Sequence, residues 1–223
     1  GYPLDRNDFS EDKIKSTATV DNVSYHFSHT ERKDRSLINY QEIYNFNSLE
    51  KYLRRSISTM INYSTEFKPR IIHSASNFVV GIAGAKAAKE LGIKSIYEIR
   101  GFWHLTQSTK RLGYENSDHY NLSEQLEIEA AKMSDHVFTI TSALKEILIE
   151  EGIEADKITV LPNAVDPDKF TIMEKDESLE KRLDFKGKVV IGYIGSFVKY
   201  EGLDILLEAC SLLYKNCLLY TSD

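Results

Sequence analysis

Short apolar runs alternate with helix-like patterns along most of the chain. Between residues 48 and 68, apolar side chains recur every three or four positions, which predicts a helix that ends before Pro69. Strands joined by helices favour parallel pairing, because each crossover must return over the sheet in the same hand. The pattern therefore predicts an α/β fold with a doubly wound parallel sheet. Its four predicted strands are 70–73, 93–99, 136–140 and 157–161.

Capping and turn residues mark the ends of the helices predicted between these strands. The helix between the first two strands is predicted at 77–91 and is closed by Gly92. The next helix follows a polar loop that runs through Tyr120 and is capped by Asn121 or Ser123. The last is capped by Ser142 and ended by Gly152.

The first 47 residues are polar and aromatic. Alternation of apolar and polar residues there predicts one strand at 23–27.

The pattern changes after residue 161. Residues 162–187 form a charged connection with two prolines and no sustained periodicity. A strand is then predicted at 188–194 and an apolar helical stripe at 203–213, and one strand with one helix cannot form a core. We therefore predict an N-terminal Rossmann-like domain at 1–165, a connection at 166–187, and the first strand and helix of a second such domain at 188–223.

Composition and charge narrow the class of protein. Of the 223 residues, 42% are hydrophobic and 28% are charged, which is typical of a packed globular chain. The net charge of -6 argues against a general nucleic-acid binder. Cys210 and Cys217 cannot form a disulfide framework or, without nearby histidines, a closed zinc site, so we expect a cytoplasmic location. No long apolar run predicts a membrane span or a signal peptide.

Polar and charged residues follow most of the predicted strands. In open parallel sheets, ligands bind beyond the carboxyl ends of the strands, where helix N-termini direct their unpaired N–H groups. We therefore expect site residues at these positions: His73, Ser74, Ser76, Arg100, Trp103, Thr141, Ser142, Asn163, Gly195, Ser196 and Lys199.

The chemistry of three of these residues suggests individual roles. His73 can hydrogen-bond a sugar hydroxyl or relay a proton, or it is satisfied by neighbouring backbone. Arg100 can neutralise a phosphate and Trp103 can stack on a sugar or base, or they are a surface arginine and a packed tryptophan. Glu98 is expected to be oriented by the same loop, where it can also simply pair with Arg100.

A possible anion cradle lies at Gly195 and Ser196, where glycine lets backbone N–H groups approach an oxyanion and Lys199 supplies a charge. The alternative is a turn that needs glycine for its backbone angles. Neither this segment nor the Gly81-x-x-Gly84 pair is a dinucleotide fingerprint or a Walker loop. The Asp166-Pro167-Asp168 triplet has no further carboxylate nearby in sequence, so we expect no metal site.

Five segments in order resemble retaining GT-B type glycosyltransferases of family 4. The most specific are the PN-x-VD-x-x-x-F junction of 162–170 and the strand-turn-helix of 192–208. The other three segments are RIIHSAS at 70–76, SIYEIRGFW at 95–103 and SDHVFTITSAL at 134–144. The resemblance implies two Rossmann-like domains that face each other across a cleft, the first for acceptor and the second for donor. It implies no cofactor and no dedicated metal.

The resemblance further implies a transferase that moves a sugar from a nucleoside diphosphate sugar to an acceptor hydroxyl with retention of configuration. The acceptor would be a saccharide, a lipid-linked molecule or another hydroxyl compound, which allows peripheral membrane association. This 223-residue piece is expected to be inactive alone. Two alternatives stay open. One is a nucleotide-sugar epimerase, which would have the same two-domain architecture. The other is a non-catalytic sugar-binding or scaffold protein, because many family members carry cations where this chain has Ser196 and Glu201.

Within this hypothesis each candidate residue has an expected role. His73 and Arg100 are assigned to catalysis. The donor-binding residues are expected to be Gly195, Ser196, Lys199 and Asn163, and the acceptor-side residues are expected to be Ser74, Ser76, Glu98, Trp103, Thr141 and Ser142.

Overall fold

The computed structural model describes residues 17–26, 46–75 and 77–215. Within these ranges the strands are β1 (Thr17–Val20), β2 (Val23–His26), β3 (Ile71–Ala75), β4 (Lys94–Ile99), β5 (His136–Thr139) and β6 (Ile158–Val160). The α-helices are α1 (Phe46–Phe67), α2 (Phe78–Leu91), α3 (Trp103–Ser108), α4 (Asp118–Met133), α5 (Ser142–Glu150), α6 (Glu177–Arg182) and α7 (Leu203–Lys215). Short 3-10 helices lie at 114–116, 155–157 and 199–201.

The four strands from β3 to β6 form one parallel sheet in the order in which they occur along the chain. In the β3–β4 pair, His73 lies opposite Ile96 and Ala75 lies opposite Glu98. All four strands fall within one or two residues of the ranges predicted from the apolar runs. The predicted α/β class with a parallel sheet is therefore confirmed.

The described residues divide by their contacts into two compact units. The first contains those within 1–98 together with 129–137. In this unit α2 begins at the predicted place, where the side chain of Asn77 accepts a hydrogen bond from the Val79 N–H at 3.2 Å. It ends at Gly92, whose φ of 67° is the left-handed conformation that glycine adopts readily. Helix α2 packs on both α1 and β3.

Two glycines let α2 lie close to the sheet. A Cβ built on Gly81 would stand 2.7 Å from the ring of the fully buried Tyr97. A Cβ on Gly84 would collide with the Ser74 hydroxyl. The Gly81-x-x-Gly84 pair, which matches no nucleotide-binding motif, therefore serves helix-to-sheet packing.

Asp135 fixes the start of β5 beside β4. Its carboxylate accepts hydrogen bonds from Lys94 Nζ at 2.6 Å, from the Ser95 N–H at 3.0 Å and from the Ser95 hydroxyl at 3.1 Å. The hydrogen bond from Lys94 is the main cause that holds the pKa of Asp135 below its usual range. The carboxylate thus stays charged and keeps the two strands in register.

The second unit contains residues 99–128 and 138–215 of the described chain. Here α5 packs on β6, and Lys145 Nζ donates a hydrogen bond to the Ile158 carbonyl at 2.7 Å. The buried side chains of Leu148 and Ile158 supply apolar contact area between these elements.

Two predicted helix starts are wrong. Helix α4 begins at Asp118, because the Ser117 hydroxyl accepts a hydrogen bond from the Tyr120 N–H at 3.2 Å; neither Asn121 nor Ser123 caps it. Helix α5 is capped by Thr141, whose Oγ1 accepts from the Leu144 N–H at 3.2 Å. Ser142, predicted as the cap, is the first helical residue.

Two segments predicted as irregular contain helices. The polar loop before Tyr120 includes α3, whose preceding residue Phe102 makes no side-chain capping bond. The connection at 166–187 includes α6, which begins where the Asp176 carboxylate accepts from the Ser178 and Leu179 N–H groups. Both helices are six residues long, which is too short to show a hydrophobic period.

The predicted strand at 188–194 does not form in these described residues, although helix α7 forms as predicted. Val189, Val190 and Ile191 are each about half exposed. A β-branched run becomes a strand only when a neighbouring strand satisfies its N–H and C=O groups, and no described strand pairs with this one.

The alternating apolar and polar residues near the N-terminus predicted one strand, but they lie in a hairpin of two strands in the structure. Strands β1 and β2 pair antiparallel through a two-residue turn at Asp21 and Asn22, whose φ values of 47° and 63° suit a type I′ turn. Phe27, the last residue of the predicted strand, lies outside the described residues.

Candidate functional site

His73 and Glu98 meet at the carboxyl ends of adjacent strands. His73 Nε2 lies 2.9 Å from Glu98 Oε2. The His73 side chain is 44% exposed and that of Glu98 is 15% exposed, so the pair borders solvent and the carboxylate is the more buried partner. The structure thus gives Glu98 a histidine partner that its position in the sequence did not indicate.

Ser74 lies on the other face of β3 from His73, because successive side chains of a strand alternate. It is 4% exposed, and its hydroxyl has no hydrogen-bond partner among the described residues. Its neighbour across the helix interface is Gly84. The structure therefore places Ser74 in the packing between sheet and helix, and Ser76 lies outside the described residues.

Arg100 and Trp103 follow β4 as predicted. Arg100 is exposed directly after the strand, and Trp103 is the half-buried first residue of α3. Both lie beyond the carboxyl end of a parallel strand, which is the geometry expected of ligand-binding residues.

His104 is a buried residue that the sequence did not single out. It is 4% exposed and its ring stacks on Phe102 at 5.3 Å, with Tyr120 edge-on at 4.8 Å. Its Nε2 lies 3.6 Å from Glu124 Oε1, and its Nδ1 has no hydrogen-bond partner within the described part of the chain. Burial lowers the pKa of His104 to about 4, so the ring is neutral at pH 7.

The same aromatic cluster affects Tyr120. Burial is the main cause that raises its pKa, and the negative charges of Glu124 and Glu115 add to the effect. The ring of Tyr114 lies 6.2 Å from that of Tyr120. The cluster anchors the segment that carries Trp103. Only the run of Phe102, Trp103 and His104 after a strand could have pointed to it.

Thr141, Ser142 and Asn163 occupy the ends of the next two strands. Thr141 and Ser142 start α5 and are exposed, but the Thr141 hydroxyl already accepts the capping hydrogen bond from Leu144. Asn163 is exposed in an irregular segment after β6.

The predicted donor-side residues lie in the exposed segment before α7. The Tyr193 hydroxyl donates a hydrogen bond to the Ser196 carbonyl at 2.9 Å, and a Cβ on Gly195 would stand 2.5 Å from that hydroxyl. Gly195 is therefore required for the close approach of Tyr193, and its φ is not among the positive values. Lys199 begins the 3-10 helix at 199–201 and is exposed.

A pocket of about 230 Å³ lies beside this 3-10 helix, within the second unit. Leu105, Thr106 and Thr109 of the α3 segment line it together with Tyr200. Lys110 Nζ lies 5.9 Å from the centre of the Tyr200 ring, within range of a cation–π interaction. Lys199, the predicted donor cation, directly precedes Tyr200 in the sequence and is not among the residues that line this pocket.

The Asp166-Pro167-Asp168 triplet forms a local turn. The Asp166 carboxylate accepts a hydrogen bond from the Asp168 N–H at 3.1 Å and lies 3.7 Å from Lys169 Nζ. Across the described ranges, no three His, Cys, Asp or Glu side chains are grouped so that they could hold a metal ion. In the same ranges no helix has the length and apolar character needed to cross a membrane.

Comparison with known proteins gives related sequences over much of the chain. The chain is 29% identical over 169 residues to the UDP-Gal:alpha-D-GlcNAc-diphosphoundecaprenol alpha-1,3-galactosyltransferase of Escherichia coli, covering 74% of this chain and 42% of that protein. It is 24% identical over 146 residues to a GDP-mannose-dependent alpha-mannosyltransferase of Mycobacterium tuberculosis, covering 63% and 35%. The chain thus matches less than half the length of each of these relatives.

A solved structure of S. aureus MnaA with UDP is similar to part of this chain, with 19% sequence identity and a TM-score of 0.40. The similar region covers 59% of this chain and 34% of that chain. The model of the family described as Glycosyltransferase Family 4 matches residues 20–169, which is most of the described N-terminal part and the whole of the sheet. The chain therefore belongs to glycosyltransferase family 4.

Proposed function

We propose that the protein transfers a sugar from a nucleoside diphosphate sugar to an acceptor hydroxyl with retention of configuration and without a metal ion. The observation that carries the proposal is the family match over residues 20–169. Both curated relatives are named as enzymes that use a nucleotide sugar, UDP-Gal in one and GDP-mannose in the other. These two donors are therefore the first to test.

On the first-domain side, the proposal assigns the acceptor to the carboxyl ends of β3 and β4. His73 accepts a hydrogen bond from the acceptor hydroxyl and Arg100 binds an anionic part of the substrates. A guanidinium is suited to this, because its planar fork can hold two oxygens of a phosphate or carboxylate at once. Trp103 supplies a flat apolar surface on which a sugar ring can lie. Rate enhancement then comes chiefly from holding the two substrates in reactive geometry.

On the donor side, the proposal assigns the diphosphate to Lys199 and the backbone N–H groups near Gly195 and Ser196. Their task is to stabilise the negative charge that grows on the departing diphosphate. The pocket is lined in part by Tyr200, the residue that directly follows Lys199 in the sequence. Asn163, after β6, is proposed to contact the donor as well.

We also propose that residues 188–215 belong to a larger donor domain. In α7, Ile205, Leu207 and Leu212 are well exposed, and the helix nonetheless carries an apolar stripe. Such a stripe is ordinarily buried against a core. The relatives, which are more than twice as long as the matched segments, support the same division.

A donor and acceptor screen on the complete gene product tests the proposal. The protein is incubated with UDP-, GDP- and ADP-sugars, with and without acceptors that include a polyprenyl-diphosphate-linked GlcNAc, and release of the nucleoside diphosphate is measured. We expect release from one donor class that depends on acceptor and needs no added metal, with Arg100→Ala as the impaired control. A cytoplasmic site of synthesis, with peripheral contact to the membrane for a lipid-linked acceptor, is part of the proposal.

Other outcomes of the screen identify other functions. Conversion of the donor sugar without any acceptor would identify an epimerase. Donor binding without turnover of any donor and acceptor pair would identify a sugar-binding or scaffold protein. Transfer that stops when metal ions are removed would refute the metal-independent part of the proposal alone.

A further inference from the structure

We infer that Glu98 is a positioning residue, whose carboxylate orients the His73 imidazole toward the acceptor hydroxyl. The inference rests on the proposed function and gives Glu98 a specific role on its acceptor side. Its basis is the geometry of the β3–β4 pair: Ala75 lies opposite Glu98, and His73 is two residues before Ala75 on the same face of the sheet. The two side chains can therefore meet diagonally across the strands, and His73 Nε2 does lie 2.9 Å from Glu98 Oε2.

The burial of the two groups differs in the way a positioning pair requires. Glu98 is 15% exposed and is thus largely withdrawn from water, whereas His73 is 44% exposed and reaches the surface. A carboxylate in such a place needs a donor to offset its lost hydration, and the histidine N–H supplies one. The neighbouring residues of each strand, Ser74 and Tyr97, are buried on the opposite face against α2. The pair therefore stands apart from the core packing.

The hydrogen bond to Glu98 also selects one tautomer of the neutral His73 ring. When Nε2–H donates to a carboxylate, the neutral imidazole carries its lone pair on Nδ1, which makes Nδ1 a hydrogen-bond acceptor. An acceptor hydroxyl that donates to Nδ1 would have its oxygen held in one direction. In this arrangement Glu98 acts on the substrate through His73, because its Oε2 contacts the ring nitrogen that faces away from the acceptor hydroxyl.

A spectroscopic measurement tests the pairing without any need for activity. Long-range proton–nitrogen NMR spectra of the chain report the protonated nitrogen of His73 and how well its proton is protected from exchange with water. We expect a protected Nε2–H that Glu98→Ala abolishes and that Glu98→Gln keeps, since the amide oxygen still accepts. The matched control is Lys94→Met, which removes the separate Lys94–Asp135 ion pair of the same sheet and should leave the signal in place. An unprotected Nε2–H in the unmodified chain would overturn the inference.

A double-mutant cycle on the complete gene product tests the role in transfer. We expect Glu98→Ala to lower kcat/KM about tenfold, which is the effect of losing one charged hydrogen bond. In a His73→Ala background the same change should have no further effect, and Glu98→Gln should retain most of the activity. If the two single losses multiply in the double variant, Glu98 acts independently of His73 and the inference fails. Complete absence of transfer by the unmodified protein would instead refute the proposed function, while the NMR result would still decide the pairing.

Discussion

Acidification should destabilise this protein through His104. The pKa of its imidazole is about 4 in the folded chain, compared with 6.5 in an unfolded one, because the buried ring is desolvated. Below pH 6.5 the unfolded chain therefore binds a proton at His104 that the folded chain does not bind, and the free energy of unfolding decreases as the pH falls. The contribution of His104 to the free energy of unfolding is fully present above about pH 7 and is fully lost below about pH 4.

The size of the effect follows from the two pKa values. One pKa unit corresponds to about 1.4 kcal/mol, so the full loss is about 3 kcal/mol, of which about 2 kcal/mol appears between pH 7 and pH 5. Glu124, whose carboxylate lies 3.6 Å from Nε2, carries a charge that favours the protonated ring. Glu124→Gln should therefore steepen the pH dependence.

Urea unfolding at several pH values provides the assay, with the fluorescence of Trp103 as the signal. Trp103 is the sole tryptophan in the sequence and is adjacent to His104. We expect His104→Phe, which keeps the ring volume and removes the titration, to flatten the decline between pH 7 and pH 5 by about 2 kcal/mol. Tyr114→Phe changes the same aromatic cluster but keeps His104, so its free energy of unfolding should decrease between pH 7 and pH 5 as much as that of the unmodified chain. If His104→Phe shows the same decline as the unmodified chain, the burial argument is wrong.

Three further predictions concern the packing, a helix cap and the site. Gly81→Ala should lower the free energy of unfolding by about 1–3 kcal/mol, because the added Cβ meets the buried Tyr97 ring. The control in the same urea titration is Gly192→Ala, where a Cβ would meet no described atom within 4 Å apart from its chain neighbours. Thr141→Ala should cost about 0.5–2 kcal/mol through loss of the α5 cap, and an equal cost for Ser142→Ala would restore Ser142 as the cap. In the complete gene product, Arg100→Ala should lower kcat/KM about 10- to 100-fold with little change in Tm, and Arg100→Lys should rescue poorly. Normal kinetics with a lower Tm would make Arg100 a structural residue.

Local signals predicted the parts of the fold that depend on neighbouring residues. Helix α2 was predicted from its small residues and from Gly92, which ends it in the left-handed conformation. The run at 188–194 has the β-branched residues of a strand, but a strand also needs a partner that the run itself does not specify. Helix α3 was not predicted, because it is only six residues long and Phe102, the residue before it, provides no side-chain cap.

The candidate site shows the same limit. The sequence indicated His73 and Glu98 separately, because each comes near the carboxyl end of a predicted strand. It indicated Arg100 as the partner of Glu98, whereas the structure adds His73, since the register that sets Ala75 opposite Glu98 is a long-range property. The sequence did not indicate the burial of His104, because its segment was predicted as a loop and its ring is buried only by the packing of Phe102 and Tyr120 around it.

The most direct test of the central claim follows the anomeric carbon of the donor by NMR. The complete gene product is given a nucleoside diphosphate sugar labelled with carbon-13 at that carbon, together with each acceptor of the screen in turn. We predict that the label moves from the diphosphate to the acceptor oxygen with unchanged anomeric configuration, and that it stays on the donor when acceptor is omitted. A product of inverted configuration would contradict retention, and a label that stays on the diphosphate with every acceptor would contradict sugar transfer itself.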